Sequence, residues 1–153
     1  MKWLELKIPP VLLVFLFSIF MWIVSLVLPR VDLNLYLENI VFGLLSAISV
    51  LIVILGVVSF RRADTTVNPI NPGSSSSLVQ TGIYRYSRNP MYLGFMLFLL
   101  GFSVFLQSVF AMFLLPVFIA YMNSFQIKPE ERALASIFGE EFIRYQRKVR
   151  RWI

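Results

Sequence analysis

At 153 residues, 58% hydrophobic and only 14% charged, the chain lies far from the half-apolar, quarter-charged balance of soluble domains and predicts one small all-α bundle in a membrane, with no room for a separate soluble catalytic domain. It has no cysteine and no histidine, which excludes structural disulfides, thiolate nucleophiles, histidine bases and the common zinc and haem ligand sets. Its net charge of +6 is gathered at helix ends rather than on a soluble face, which favours anionic lipid headgroups over nucleic acid as the partner.

Lys2, Glu5 and Lys7 precede an apolar tract over residues 8–28. The tract outruns the h-region of a secretory signal, about 7–15 residues, and ends at Pro29-Arg30 rather than at a small-residue cleavage site, so it predicts an uncleaved first transmembrane helix. A short connection with Arg30, Asp32 and Glu38 is net negative. The second tract, 40–60, carries Gly43 and Ala47, whose four-residue spacing predicts close approach to a neighbouring helix.

Residues 61–90 form the longest polar connection, and Arg61, Arg62, Arg85 and Arg88 outweigh Asp64 there. That excess predicts a cytoplasmic loop. Residues 68–77, turn-rich and then serine-rich, read as a mobile surface excursion, whereas the flanks 65–68 and 81–90 are expected to lie back against the bundle. In the second flank Gly82 opens backbone conformations closed to other residues. Pro90 pushes Asn89 out of the α region, so a helix should begin just after it. Arg85 and Arg88 bring fixed charges, and Tyr84, Tyr86 and Tyr92 bring aromatic faces tipped with hydroxyls. The set suits an anionic group held beside a flat ring, and equally a positive-inside loop with an interfacial aromatic belt.

Residues 91–125 are too long an apolar run for one span and long enough for a tight pair. Gln107-Ser108 is the natural turn, giving spans 91–107 and 109–125, and Pro116 interrupts the second of them. Basic excess at the N-terminus, in the central loop and in the tail predicts four spans with both termini cytoplasmic. In the tail, Pro129-Glu130-Glu131 opens a helix. Leu134, Ile137, Phe138, Phe142, Tyr145, Val149 and Trp152 then recur at three- and four-residue steps. An amphipathic helix over 129–153 is expected, with a break at Gly139, and with Arg144, Arg147, Lys148, Arg150 and Arg151 toward anionic headgroups.

A hairpin of the third and fourth helices brings the loop 81–94 beside Glu130-Glu131. The pairing of acid with base there could be a salt bridge tying tail to loop. It would also suit S-adenosylmethionine, offering arginine to a carboxylate, acid to an ammonium or sulfonium, and aromatic walls to an adenine. A non-catalytic protein binding anionic lipid or a partner subunit through loop and tail is the alternative from these residues alone.

At Gly82-Ile-Tyr84-Arg85, followed by Arg88-Asn-Pro-Met-Tyr-Leu-Gly94, the chain resembles the isoprenylcysteine carboxyl methyltransferase and phospholipid methyltransferase family of integral membrane enzymes. Glu130-Glu131-x-x-Leu134, with Phe138-Gly139 and Tyr145 after it, is similar to that family's second signature. The resemblance covers about the C-terminal half and departs at Asn89, where the family has histidine; asparagine can hydrogen-bond but cannot titrate. It implies S-adenosylmethionine as cofactor and a lipophilic substrate entering from the bilayer. It also implies cofactor binding by Gly82, Tyr84, Arg88, Asn89, Pro90, Tyr92, Leu93, Gly94, Glu130, Glu131 and Leu134. Arg88 and Glu131 are the implied catalytic pair, Glu131 nearest the transferred methyl.

Overall fold

A computed structural model describes residues 2–31, 35–63 and 76–153. Asp32, the flank 65–68 and most of the stretch 68–77 lie outside the described residues. The described residues are helical, with no strand among them.

Helix α1, Pro10–Val27, begins with Pro10 in its first turn, where the missing N–H leaves no bond unmade. Inside it the hydroxyls of Ser18 and Ser25 donate to the carbonyls of Val14 and Trp22, so neither polar side chain is left bare in an apolar setting. Arg30 Nε then donates to Ser25 O at 2.9 Å and satisfies a carbonyl of the last turn. Helix α2, Leu35–Arg62, has 28 residues and is about 42 Å long at the α-helical rise, more than the hydrocarbon thickness of a bilayer. Its charges stand at the ends, Glu38 in the first turn and Arg61 and Arg62 in the last, the arrangement that complements the helix dipole.

Helix α3, Pro90–Phe105, is the centre of the bundle. On one side it packs along α2, and on the other it meets α1, α4 (Val109–Met112) and α5 (Leu114–Tyr121). Leu99, Leu106, Ala111, Leu115, Phe118 and Met122 form the core with Leu13 and Met21 of α1. Glycines set the α2–α3 distance. A Cβ on Gly94 would lie 3.1 Å from Ser49 O, and one on Gly101 would lie 3.0 Å from Leu45 Cβ. The close approach expected of Gly43 and Ala47 is therefore made by other residues: a Cβ on Gly43 would meet nothing within 4 Å. Four-residue spacing selects a stripe of helix surface but not the neighbour it faces.

The turn at Gln107-Ser108 is where the sequence places it, with Gln107 at φ 52 and Ser108 Oγ accepting from the Ala111 N–H. The Gln107 amide donates to the Glu38 carboxylate, and the Val31 N–H donates to Gln107 O at 2.9 Å. Helical winding breaks at Phe113, just before α5. Pro116 accounts for this, because it can offer no N–H to the carbonyl four residues back, that of Met112.

The next helix does not end at 125, as the sequence suggests. A π-helical turn, Met122–Ile127, runs directly into α6, Lys128–Phe138. The widened turn leaves Phe125 O to accept from the Leu6 N–H at 2.9 Å, which docks the N-terminal residues on it. Nor is the tail one helix to 153. Gly139, at φ 51, separates α6 from α7, Glu140–Lys148, and Val149 is extended, so the final residues leave helical geometry. Among the described residues, three helices are long and apolar enough to cross a membrane, Pro10–Val27, Tyr36–Arg62 and Val109–Phe138, and α3 is a shorter apolar helix. Phe15, Phe20, Trp22, Ile40 and Ile54 are among the many large apolar side chains on the outer surface, the pattern of a multi-pass membrane protein facing lipid.

Candidate active site

The site lies where the start of α3 meets the π turn and α6. A 3₁₀ turn, Gly82–Arg85, precedes it. Gly82 has φ 61, and a Cβ there would come 2.7 Å from Ser59 Oγ, so glycine alone fits comfortably. The turn buries Tyr84, whose ring stands edge-on to Phe60 of α2 at 5.3 Å between centroids. The Tyr145 hydroxyl of α7 donates to Tyr84 O at 2.7 Å. Burial raises both phenols above their ordinary range, so each stays protonated. Tyr84 is thereby an anchor of loop to bundle rather than an open wall of a pocket.

Arg88 follows, and its NH2 donates to Glu131 Oε1 at 2.7 Å. Its NH1 donates to the carbonyls of Gln146 and Val149 at 3.1 and 2.5 Å, while its buried Nε has no hydrogen-bond partner among the described residues. Glu131 is also met by Arg151, NH2 to Oε2 at 2.6 Å and Nε to Oε1 at 3.1 Å. Asn89 Nδ2 donates to Arg151 O at 3.0 Å, a bond that needs only a neutral donor. Pro90 is buried at the first position of α3, and the Leu93 N–H closes that helix's first turn on Asn89 O at 3.0 Å.

The second carboxylate is held differently. Tyr92, buried in the first turn of α3, donates its hydroxyl to Glu130 Oε1, and Gln126 of the π turn donates to the same oxygen at 2.6 Å. Two neutral donors hold Glu130, whereas two guanidinium groups hold Glu131. An open cleft of about 370 Å³ lies beside Glu131, lined also by Lys128, Arg132, Ala135 and Gln146.

Of the residues singled out in the sequence, Arg88, Asn89, Tyr92, Glu130 and Glu131 come together here. Gly82, Tyr84 and Gly94 stand on the α2 side of the loop and of α3, where they set backbone path and packing. Leu93 and Leu134 are half-buried on α3 and α6. Four participants were not singled out: Gln126, Gln146, Asn123 and, as a site residue, Arg151. Gln126 and Asn123 lie at the polar end of the last apolar tract, 91–125, and that polarity next to a helix was the available signal. Trp152 Nε1 donates to Asn123 Oδ1 at 3.1 Å, so the tail ends on the π turn, and Arg151 is turned to Glu131 rather than toward headgroups.

The chain matches the phospholipid methyltransferase family over residues 37–141. It is 29% identical over 125 residues to the protein-S-isoprenylcysteine O-methyltransferase of Saccharomyces cerevisiae, covering 77% of this chain and 52% of that protein. It is 36% identical over 72 residues to the enzyme of the same name from Schizosaccharomyces pombe, covering 47% of this chain and 30% of that one. An uncharacterized protein of Haemophilus influenzae is 44% identical over 63 residues, its whole length and 41% of this chain. This chain thus spans about half or less of the two named methyltransferases. No solved structure matches it.

Proposed function

Since the chain belongs to the phospholipid methyltransferase family, we propose that it is a methyltransferase that uses S-adenosylmethionine to methylate a lipophilic acceptor, a lipid, a thiol or a hydrophobic carboxylate, at the cytoplasmic face of the membrane. The observation that carries this reading is the joining of the two motifs by the Arg88–Glu131 pair, at 2.7 Å, with the Tyr92–Glu130 bond beside it.

The residues present fit such a cofactor. The partnerless Arg88 Nε is a buried donor suited to a carboxylate, and Glu130 keeps one oxygen with no hydrogen bond among the described residues, suited to an ammonium. The open cleft of about 370 Å³ is lined by Glu131 and Gln146, both hydrogen-bonded to Arg88. When bound, the sulfonium supplies an activated methyl group and its own neutral leaving group. The chain's part is then to orient and to exclude water. Arg88 and Glu131 are the catalytic pair in this reading, Glu131 nearest the transferred methyl, with Asn89, Pro90, Tyr92, Glu130 and Leu134 holding the cofactor around them. In-line displacement on an already ionised acceptor asks for position and desolvation rather than for proton removal, so a chain without histidine is adequate.

Incubating the purified protein with methyl-labelled S-adenosylmethionine and total membrane lipid should label a lipid-extractable product. Absence of label, with retained binding to anionic vesicles, would return the protein to the non-catalytic alternative.

We also read α3 and the segment 109–125 as two further spans, which with α1 and α2 makes four, with both termini cytoplasmic. The support is the basic excess on the side of Arg61, Arg62 and Arg88 and the acidic Glu38 at the other end of α2. Cysteine introduced at Ser136 should be labelled by an impermeant reagent only from the cytoplasmic side. Labelling from the opposite side would invert the site as well as the topology.

A further inference from the structure

Helix α7 ends at Lys148, and Val149, at φ −121 and ψ 132, turns the chain into an extended path back toward the loop. Along it the Arg88 N–H donates to Arg150 O at 3.0 Å and Asn89 Nδ2 donates to Arg151 O at 3.0 Å. Beyond them the Trp152 indole donates to Asn123. Arg151 is thus fixed on both sides by its neighbours' backbone and side-chain bonds, and its guanidinium is delivered to Glu131 from the tail, opposite in sequence to Arg88.

The two arginines do not do the same thing to Glu131. Arg88 makes one contact with it, through NH2, and directs NH1 to the carbonyls of Gln146 and Val149. One contact leaves a carboxylate free to rotate about the bond to its chain. Arg151 contacts both oxygens, Nε to Oε1 and NH2 to Oε2, and a two-pronged pair fixes the carboxylate plane. With about four acceptor positions on a carboxylate and three in use, the remaining one is on Oε2, and its direction is set by the Arg151 fork.

We propose that Arg151, which belongs to neither motif, is the positioning residue of the site: its fork sets the plane of the Glu131 carboxylate and so the direction of the acceptor position that Glu131 keeps for the cofactor. The proposal rests on the reading of the site as a cofactor pocket.

The test is calorimetric binding of S-adenosylmethionine in detergent, with thermal unfolding of each variant alongside. Wild type, Arg151→Met, Arg151→Lys, Glu131→Gln, the double variant Arg151→Met/Glu131→Gln, and Arg147→Met, an exposed α7 charge that controls for net charge, are compared. Arg151→Met should weaken binding about tenfold or more, and Arg151→Lys, which restores charge but offers no planar fork, should recover only part of that loss. The double variant should bind no worse than Glu131→Gln, because both changes remove one interaction. Arg147→Met should bind as wild type does.

Full affinity in Arg151→Lys would overturn the proposal, as would equal losses in Arg151→Met and Arg147→Met, or losses that add in the double variant. Should Arg151→Met fail to fold, the lysine variant decides between the same two outcomes. Wild-type protein that binds no S-adenosylmethionine would sink the functional reading itself, and the proposal with it, whereas wild-type binding with an unaffected Arg151→Met sinks the proposal alone.

Discussion

Glu131→Ala is expected to weaken S-adenosylmethionine binding by about tenfold to a hundredfold, the loss of one charge-assisted hydrogen bond, roughly 1.5–3 kcal/mol. It should also lower the stability of the empty protein. Glu131 is the only carboxylate among the described residues that joins Arg88 to Arg151, and the side chains of Arg88 and Glu131 are 11% and 13% exposed. Removing the acid leaves Arg88 charged and largely out of water. Breaking such a pair from one side costs about 3–5 kcal/mol, and the low end applies here because the carbonyls of Gln146 and Val149 still accept from Arg88. Arg151, about a third exposed, can turn to solvent. Calorimetry and thermal unfolding in the same detergent measure the two effects. A variant as stable as wild type that also binds as tightly would remove Glu131 from both roles.

Much of the fold was legible wherever one residue dictates its own neighbourhood. Pro90 opening α3, the turn at Gln107-Ser108, the break before Pro116 and the break at Gly139 are all of this kind, since each follows from a missing N–H, a positive φ or a polar interruption. The meeting of Arg88 with Glu131 was legible for a different reason: a hairpin must return its ends to the same level. What escaped has no backbone-breaking residue to mark it. The π turn at Met122–Ile127 contains neither glycine nor proline, and it is held from outside, by the N-terminal residues on Phe125 O, by Trp152 on Asn123 and by the Tyr92–Glu130 pair on Gln126. The end of the tail misled for the opposite reason. Val149 and Trp152 continue the helical apolar spacing of α7, yet extended backbone there gains bonds to Arg88, Asn89 and Asn123 that a further helical turn would not make. The family resemblance named its residues as one set, without separating those that line the cleft, such as Glu131, from those that face α2, such as Tyr84 and Gly94.

That last distinction can be measured with one substitution made at two glycines. Gly94→Leu should abolish stable folding in detergent, and Gly43→Leu should not lower the unfolding temperature. At Gly94 even a methyl group would sit 3.0 Å from Val53 Cγ2 and 3.1 Å from Ser49 O. The first neighbour is a β-branched side chain with little rotamer freedom, and the second is helix backbone, so neither can yield without moving α2. Overpacking of this sort costs about 1–3 kcal/mol for modest additions. Leucine adds three carbons beyond the methyl, and small residues are what allow the two membrane helices to approach at all. If α3 is pushed off α2, Tyr92 moves with it, and the Tyr92–Glu130–Gln126 set is lost before any cofactor is involved. Gly94→Ala should fall between, less stable by about 1–2 kcal/mol and weaker in binding. Gly43 has the same residue type on the same kind of helix but looks outward, with nothing within 4 Å of a Cβ built there. Leucine there gains helix propensity and meets lipid. Unfolding by Gly43→Leu together with tolerance of Gly94→Leu would mean that α2 presents its opposite face to α3, and the site built on α3 would have to be rebuilt with it.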